Sequence, residues 1–439
     1  MERSLLTAAM RLPPVWSVSS PIRLAASLLA LFAGAVPPLM AESASPGLPL
    51  AASPEAEGFS GPRLARIPAL LGRLVDTHQY AGAVWLVARD GKIVSQGAVG
   101  YSDIEARKPM SASTEFAMMS MTKLITTVTA LTLWEEGRFN LDDPIETYLP
   151  ELAHPKIYVS GPSEAPVYVE AKRRITIRNL LTQTSGYTYG FFDSDPPAVQ
   201  AIYGKSGWMG SRSNAEFLTR AASLPLLFEP GHAWNYGINT DLVGVLIERL
   251  THQTLGQAMK DRVLGPLGMT ETSFSLPADL SRVARVYHKN PAGDLVGDDR
   301  KRSFPFESGG GGLYSTAPDY ARFAQMLLNG GELGGKRILG RKTVAFMTSN
   351  QLRNLEDPQK GPFFPPGFGL GVRVRLDNAA DYPTLGSAGE YGWEGIMTTY
   401  VSIDPAERMF MMVLAQHQPY DEHQLFESFA NAAYQALEK

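Results

Sequence analysis

Two residues that could form a nucleophile and its base, Ser120 and Lys123, lie three positions apart in the stretch 115–136. If this stretch is a helix, their side chains share one face, one turn apart. The serine would fall in the first turn, where the helix dipole and unpaired N–H groups favour a developing negative charge. A lysine amine that is partly desolvated can lose its proton and then accept one from serine. Ser-x-x-Lys alone fixes only two residues, so a surface lysine and an ordinary helical serine remain the alternative.

A tyrosine that could assist this pair is Tyr236, in the run 234–241 that enters a predicted helix at residues 240–251. A side chain in the turn before a helix can point into a cleft. A phenol close to a lysine ammonium is expected to have a lowered pKa, and the phenolate could then relay a proton. The alternative is a tyrosine of the core.

A glycine-rich segment, residues 389–395, comes just before a predicted strand at 398–403. A strand edge flanked by glycines can direct a backbone N–H at a reacting carbonyl. Together with the N–H of Ser120 it would form an oxyanion hole, in which each donor is worth about 3 kcal/mol.

Taken in chain order, the three segments resemble the motifs of the β-lactamase-like serine hydrolases. These motifs are Ser120-x-x-Lys123, Tyr236 and Trp393-Glu394-Gly395. Within that group the sequence is most similar to the family VIII carboxylesterases, which are related to class C β-lactamases and D-alanyl-D-alanine carboxypeptidases. Because the combined pattern fixes residue types in three segments and also their order along the chain, it is far more specific than Ser-x-x-Lys alone.

The resemblance extends over roughly residues 60–435. Residues 180–186 are similar to the family's Leu-Leu-x-His-Thr-Ser-Gly segment. Residues 228–231, 309–319 and 404–405 also match stretches that the family carries.

Four positions depart from the family pattern. Ile238 replaces the asparagine of the lactamase Tyr-x-Asn motif, and Gln183 replaces a histidine. Trp393 stands where lactamases and peptidases carry a lysine that attracts a substrate carboxylate, and Glu394 stands where esterases have a small residue. A tryptophan there favours neutral acyl groups, and Glu394 is expected to add repulsion of anions. An esterase is therefore favoured over a lactamase or peptidase.

The resemblance implies a mechanism for ester hydrolysis. Ser120 attacks the carbonyl, and Lys123 accepts the proton with Tyr236 as its partner; which of the two is the formal base is left open. The backbone N–H groups of Ser120 and Ile396 hold the oxyanion. Tyr236 is then the expected activator of the water that hydrolyses the acyl-enzyme.

Further residues are expected to bind substrate: Trp393, Glu394, Gly395, Tyr189, Phe191 and Trp208. The last three, Tyr189, Phe191 and Trp208, could equally belong to the core. A small-molecule ester is the expected partner. Two alternatives stay open: a β-lactamase or D,D-carboxypeptidase, and a catalytically silent penicillin-binding-like module. The seven histidines form no HExxH or other ligand pattern, so neither a metal nor another cofactor is expected.

The fold that would position these residues is α/β of the α+β type, the β-lactamase-like fold. Residues 61–113 and 307–439 are expected to form an α/β domain around an antiparallel sheet, and residues 114–306 a mostly helical domain. The strands are predicted at 82–100, a hairpin that turns at Asp90-Gly91, and at 369–374, 398–403 and 409–414. Helices are predicted at 64–75, 115–136, 174–185, 215–222, 240–251, 319–328 and 422–437.

The composition narrows the functional classes. The chain has 439 residues, of which 44% are hydrophobic and 19% charged, with a formal net charge of -4. The balance of charge, without a basic stripe, argues against nucleic acid as a partner. The absence of cysteine excludes disulfides, thiolate metal sites, cysteine catalysis and a lipid-modified cysteine anchor.

The N-terminus has the pattern of a secretory signal peptide at residues 1–41. Arginines precede an apolar run at 24–36, which is too short to span a bilayer, and small residues allow cleavage after Ala35 or Ala41. The alternative is an uncleaved membrane anchor. Residues 42–60 are expected to be a flexible linker. The protein is therefore expected to be periplasmic or secreted, without stable membrane insertion. Its oligomeric state is left open.

Overall fold

The computed structural model describes residues 47–298, 304–352, 355–356, 365–377 and 382–439. The predicted signal peptide, with both possible cleavage sites, lies outside these residues. Within them, no helix combines the length and the apolar character needed to cross a lipid bilayer.

The linker expected at 42–60 is in fact attached to the sheet over its described part. Leu50 forms a parallel bridge with Ile93, and the N–H of Ala51 donates to the Ile93 carbonyl at 2.9 Å. Phe59 is fully buried. The polar, proline-rich composition suggested a flexible segment, but one large apolar side chain is enough to hold this segment against the core.

The described strands fall into one large sheet and several short ribbons. They are β1 (Gly82–Arg89), β2 (Lys92–Asp103), β3 (Lys108–Pro109), β4 (Phe116–Ala117), β5 (Lys156–Ser160), β6 (Val167–Glu170), β7 (Val286–Lys289), β8 (Leu295–Asp298), β9 (Tyr314–Ser315), β10 (Glu332–Leu333), β11 (Lys336–Arg337), β12 (Arg373–Val374), β13 (Tyr391–Gly395), β14 (Thr399–Asp404), β15 (Met409–Leu414) and β16 (His417–Gln418).

The large sheet joins strands from both ends of the described chain, in the order β12-β13-β14-β15-β1-β2-β3, with every neighbouring pair antiparallel. The predicted hairpin is present. Asp90 and Gly91 have φ of 50° and 78°, and two successive positive φ values are what a type I′ turn requires. The apolar run of β15 lies between β14 and β1, which explains why all six of its residues are buried.

Helices surround this sheet. The described α-helices are α1 (Gly61–Leu64), α2 (Arg66–Asp76), α3 (Thr122–Glu135), α4 (Ile177–Leu181), α5 (Pro197–Ser206), α6 (Asn214–Ala221), α7 (Asn239–Thr251), α8 (Leu255–Met259), α9 (Ala317–Leu328), α10 (Arg341–Met347) and α11 (Leu425–Tyr434).

The two faces of the sheet bury two separate apolar clusters. Trp85 and Met411 belong to the cluster under α2 and α11, whereas Leu86 and Met412 belong to the larger cluster that includes α3, α7 and α9. Successive side chains of a strand point to opposite faces, so this division follows from the strand itself. The β-lactamase-like arrangement of an antiparallel sheet with helices on both faces is thus confirmed. The proposed domain limits at residues 113 and 306 stay a prediction.

Two expectations for the strands were wrong. The region 138–306 contains two hairpins, β5–β6 and β7–β8, where little strand was expected. Val159 and Val167 are 54% and 51% exposed, so the first hairpin has no fully buried face to produce a clear alternation. Of the strand predicted at 369–374, only Arg373–Val374 is extended and paired. Gly371, inside the predicted range, has a φ of 69°.

Candidate active site

Ser120 lies in a 3-10 turn, Met119–Met121, that leads directly into α3. The helix predicted from residue 115 therefore starts later, because Phe116–Ala117 pairs with β9 as a short strand. The Met119 backbone is left-handed, with φ of 49°. A non-glycine residue in this region stores strain, and such strain concentrates at functional sites. Ser120 thus stands, half-buried, at the N-terminal end of a helix that begins at Thr122.

Lys123 is 1% exposed, and its Nζ is surrounded by three oxygen atoms. It lies 3.2 Å from Ser120 Oγ, 2.8 Å from the Tyr189 hydroxyl and 2.5 Å from the Gly310 carbonyl oxygen. Burial lowers the pKa of the Lys123 amine to about 7, and the charge of nearby Asp241 opposes this shift. A neutral amine keeps a lone pair, so the lysine can act as a base near neutral pH.

Tyr236 precedes α7, and its hydroxyl meets both Ser120 and Trp393. It hydrogen-bonds the Ser120 side chain and accepts a 3.0 Å hydrogen bond from Trp393 Nε1. Burial raises the pKa of the Tyr236 phenol well above its usual range, although these hydrogen bonds partly oppose the shift. The lowered pKa expected for this tyrosine was therefore wrong: desolvation outweighs the nearby amine, which itself loses charge. The raised pKa favours the neutral phenol of Tyr236 over a phenolate.

The glycine run at 309–312 holds the lysine through its backbone. Gly310 accepts from Lys123, and its own N–H donates to Asp241 Oδ1 at 3.0 Å. Ser308 donates to the same carboxylate oxygen at 2.5 Å. A Cβ at Gly309 would lie 2.8 Å from the Thr240 carbonyl oxygen. Glycine at this position therefore allows the main chain to pack closely against α7.

Strand β13 ends at Gly395, next to the turn that carries Ser120, and Ile396 follows the strand. A Cβ on Gly395 would lie 2.5 Å from the Met118 carbonyl oxygen, so only glycine lets the strand approach this closely. Thr399 Oγ1 donates to the same Met118 oxygen at 3.1 Å. The β13–β14 loop is thus attached to the segment that carries Ser120. The role of the Ile396 N–H in an oxyanion hole stays a prediction.

The aromatic residues predicted to line the pocket lie together around Tyr189. Its ring centroid is 5.3 Å from Phe191, 5.8 Å from Trp208 and 5.3 Å from Tyr236. Trp208 is 3% exposed and also contacts Phe217, which is a core position. Phe191 is only half-buried, so it remains available to a ligand.

Glu394 does not lie with this aromatic group. Its cross-strand partner is Tyr400, which belongs to the cluster on the opposite face of the sheet from Trp393. The Glu394 carboxylate forms a salt bridge with Arg373, and their side chains are 12% and 26% exposed. The expectations that Glu394 binds substrate and repels anions are therefore corrected, because strand alternation turns it away and an arginine compensates its charge.

Sequence reasoning missed three residues that act on the lysine, two by direct contact and Asp241 through its charge. Tyr189 was expected only as a pocket wall, yet its hydroxyl is closer to Lys123 Nζ than Ser120 is. Asp241 and Gly310 lay within recognised segments but had no assigned role. No spacing rule connects these residues, since they come from three separate parts of the chain. Among the described residues, no group of His, Cys, Asp or Glu is arranged to hold a metal ion.

Fold and site together define a serine hydrolase of β-lactamase type. The beta-lactamase family profile matches residues 67–434, so the chain belongs to that family. The resemblance detected in the sequence motifs is thereby confirmed.

Three relatives illustrate the range of the family. The chain is 35% identical to Protein Rv1367c of Mycobacterium tuberculosis over 367 residues, covering 80% of this chain and 89% of the relative. It is 29% identical to Esterase EstB of Burkholderia gladioli over 377 residues, with the same coverage of 80% and 89%. The solved structure of EstCE1, described as a hydrolase with promiscuous acyltransferase activity, superposes with a TM-score of 0.71 at 25% identity, covering 85% of this chain and 99% of that one.

Proposed function

We propose that this protein is a carboxylesterase that hydrolyses neutral carboxylic esters through an acyl-enzyme on Ser120. The observation that carries the proposal is the pair formed by Trp393 and Tyr236, joined by a 3.0 Å hydrogen bond beside the nucleophile. The indole stands where lactamases and peptidases carry a lysine. It offers an apolar surface and no positive charge to a substrate carboxylate.

Acylation uses two groups with different proton affinities, the Lys123 amine and the Tyr236 phenol. Neutral Lys123 takes the proton of the Ser120 hydroxyl as the oxygen attacks the ester carbonyl. The lysine is assigned as base because burial lowers the pKa of its amine to about 7, while burial raises the pKa of the Tyr236 phenol. The C–O bond of the ester breaks as the tetrahedral intermediate collapses. The proton then passes from Lys123, through the Tyr236 hydroxyl, to the leaving alkoxide.

Deacylation reverses these roles. Water attacks the acyl carbonyl and loses a proton towards Tyr236 and Lys123, and Ser120 leaves as the alcohol. Backbone N–H groups of Ser120 and Ile396 would stabilise the oxyanion in both steps, each by about 3 kcal/mol.

The experiment compares one neutral ester with one β-lactam. Purified protein and its Ser120→Ala variant are assayed on p-nitrophenyl butyrate and on a chromogenic cephalosporin. We expect ester turnover that depends on Ser120 and far exceeds cephalosporin turnover. The reverse preference would identify a β-lactamase or peptidase. No turnover of either, with no covalent labelling by a phosphonate, would identify a silent penicillin-binding-like module.

Acyl transfer to an alcohol is a second candidate, favoured by the half-buried aromatic rings of Phe191 and Tyr236, which both pack against Tyr189 near Ser120. An apolar alcohol held there would compete with water for the acyl-enzyme. Added butanol should then divert p-nitrophenyl butyrate into butyl butyrate while p-nitrophenol release continues. Release of butyric acid alone, at every butanol concentration, would leave hydrolysis as the sole reaction.

The N-terminal pattern supports a periplasmic or secreted enzyme. The mass of the mature protein tests this: cleavage after Ala35 or Ala41 is expected, and a chain that still begins at Met1 or Met10 would contradict it.

A further inference from the structure

Gln183 occupies an unusual backbone position directly after α4. It is fully buried, and its φ of 59° places it in the left-handed region. A non-glycine residue in this conformation is strained, and it persists only where surrounding contacts determine it. Those contacts converge on Tyr236.

Gln183 binds the main chain on both sides of that tyrosine. Its carbonyl oxygen accepts from the N–H of Asn235 at 2.8 Å. Its side-chain Oε1 accepts from the N–H of Gly237 at 3.1 Å. Tyr236 is therefore flanked by two hydrogen bonds to a single residue, which sits on a different segment of the chain.

The rest of the Gln183 amide is also engaged, so its orientation is fixed. Oε1 accepts a second hydrogen bond from Asn239 Nδ2 at 2.6 Å, and Nε2 donates to Thr240 Oγ1 at 3.1 Å. A backbone N–H can only donate, so the group facing Gly237 must be the oxygen. The left-handed conformation is what lets the main chain and the side chain of one residue reach the same loop.

The same segment continues to the other tyrosine of the site. Residues 183–189 run from this amide to Tyr189, whose hydroxyl contacts Lys123. Asn235 Nδ2 adds a further link by donating to the Tyr187 carbonyl oxygen at 3.2 Å. The distance between the two phenols, with ring centroids 5.3 Å apart, is thus set by contacts centred on Gln183.

We infer that Gln183 is a positioning residue for catalysis: it fixes the Tyr236 loop so that the phenol meets Ser120, an assignment that rests on the proposed function. It touches neither the nucleophile nor the base. Misplacing a reacting group by about 1 Å can cost on the order of 100-fold in rate, so a loop held by buried hydrogen bonds is a sensitive point. An amide does not titrate, so this support is the same at every pH.

Gln183→Leu is the variant that tests the assignment. It keeps the side-chain volume and removes the acceptor for Gly237. We expect kcat for p-nitrophenyl butyrate to fall about 100-fold while KM changes less than about threefold, because ground-state binding does not need the exact phenol position. Gln183→His should recover most of kcat at pH 8.5, since a neutral imidazole can accept from Gly237 through one nitrogen.

Gln325→Leu is the matched control. Gln325 is 2% exposed and donates from Nε2 to Asn329 Oδ1 at 2.7 Å, within and just beyond α9. Gln325→Leu should leave kcat unchanged. A Gln183→Leu enzyme with kcat within threefold of wild type, or Leu and His variants with equal kcat, would overturn the inference.

A crystal structure of Gln183→Leu separates this inference from the proposed function. If wild type hydrolyses no ester, the proposed function fails, but the position of Tyr236 still decides the role of Gln183. We expect its hydroxyl to lose the 3.0 Å contact with Trp393 Nε1. An unmoved Tyr236 would show that Gln183 does not position it. If Gln183→Leu does not fold, Gln183→His is compared with wild type at pH 8.5 and again at pH 5, where the protonated ring can no longer accept. Protonation of Lys123 lowers the activity of both enzymes at pH 5, so the ratio of variant to wild-type kcat is the readout: it should fall at pH 5, and an unchanged ratio would overturn the inference.

Discussion

The indole Nε1 of Trp393 donates a 3.0 Å hydrogen bond to the hydroxyl oxygen of Tyr236. This contact joins strand β13 to the loop before α7, two parts of the chain 157 residues apart. The indole occupies one lone pair of the phenol oxygen, and the side chains of Ser120 and Tyr189 also hydrogen-bond this hydroxyl. The residue that we propose selects neutral substrates thus also contacts the tyrosine of the proposed proton relay.

Trp393→Lys should shift the preference towards anionic acyl groups. An ammonium within about 4 Å of a carboxylate gains roughly 4 kcal/mol near a protein surface, before desolvation is subtracted. We expect the ratio of kcat/KM for mono-p-nitrophenyl succinate over p-nitrophenyl butyrate to rise at least about tenfold, with lower kcat for both. Trp393→Phe, which removes the hydrogen bond but adds no charge, is the control and should leave the ratio unchanged. An unchanged ratio in Trp393→Lys would show that this position does not select substrate charge.

Activity should follow the deprotonation of Lys123. A general base works only when neutral, so kcat/KM should rise with pH, reach half its maximum near pH 7 and then level off, as the lowered pKa of the amine implies. The measurement is kcat/KM for p-nitrophenyl butyrate from pH 5 to 9. A profile that is flat from pH 5 upward, or one that rises only near pH 10, would contradict the assignment of Lys123 as base.

Asp241→Asn should move this rise to lower pH. The Asp241 charge raises the pKa of Lys123, so its removal lets the amine lose its proton more easily. The asparagine oxygen can still accept from the Gly310 N–H, which keeps the glycine run in place. Asp241→Ala removes the acceptor as well and should lower the plateau. A rise that moves to higher pH in Asp241→Asn would refute the electrostatic role.

Tyr189→Phe should reduce kcat about tenfold. The hydroxyl lies 2.8 Å from Lys123 Nζ, and a hydrogen bond to a group that becomes charged is worth about 1.5–3 kcal/mol. Tyr434→Phe is the matched control, because Tyr434 donates to Asp404 Oδ2 at 2.9 Å on the other side of the sheet. Equal kcat in the two variants would show that Tyr189 only lines the site and that its hydroxyl does not assist Lys123.

Glu394→Gln should lower stability and leave substrate preference unchanged. Removing one partner of the Arg373 salt bridge leaves a largely buried guanidinium, at a cost on the order of 2 kcal/mol, since the pair is partly exposed. Asp90→Asn breaks the exposed pair with Arg408 and should cost at most about 1 kcal/mol. Urea unfolding measures both. A changed ratio of succinate to butyrate hydrolysis in Glu394→Gln would restore the substrate-facing role.

The sequence determined the local chemistry and the order of its parts. Residue types and their spacing located Ser120, the α7 entry and the glycine-rich segments. Alternation located β14 within one residue, and a continuous apolar run located β15. These features depend on neighbours a few positions apart, so they can be read without the fold. Short elements whose faces are both exposed, such as β5 and β6, gave no such signal.

Only the tertiary structure decided which groups contact the lysine, which charges are paired and in which direction the pKa values shift. Burial reverses the direction of the pKa shift expected for Tyr236 and lowers the pKa of Lys123, which favours the lysine as the base. The fold places Tyr189 on the lysine, turns Glu394 towards Arg373, and brings Gln183 to the Tyr236 loop. Desolvation and long-range hydrogen bonds depend on what surrounds a side chain in space, which residue types and spacing do not encode.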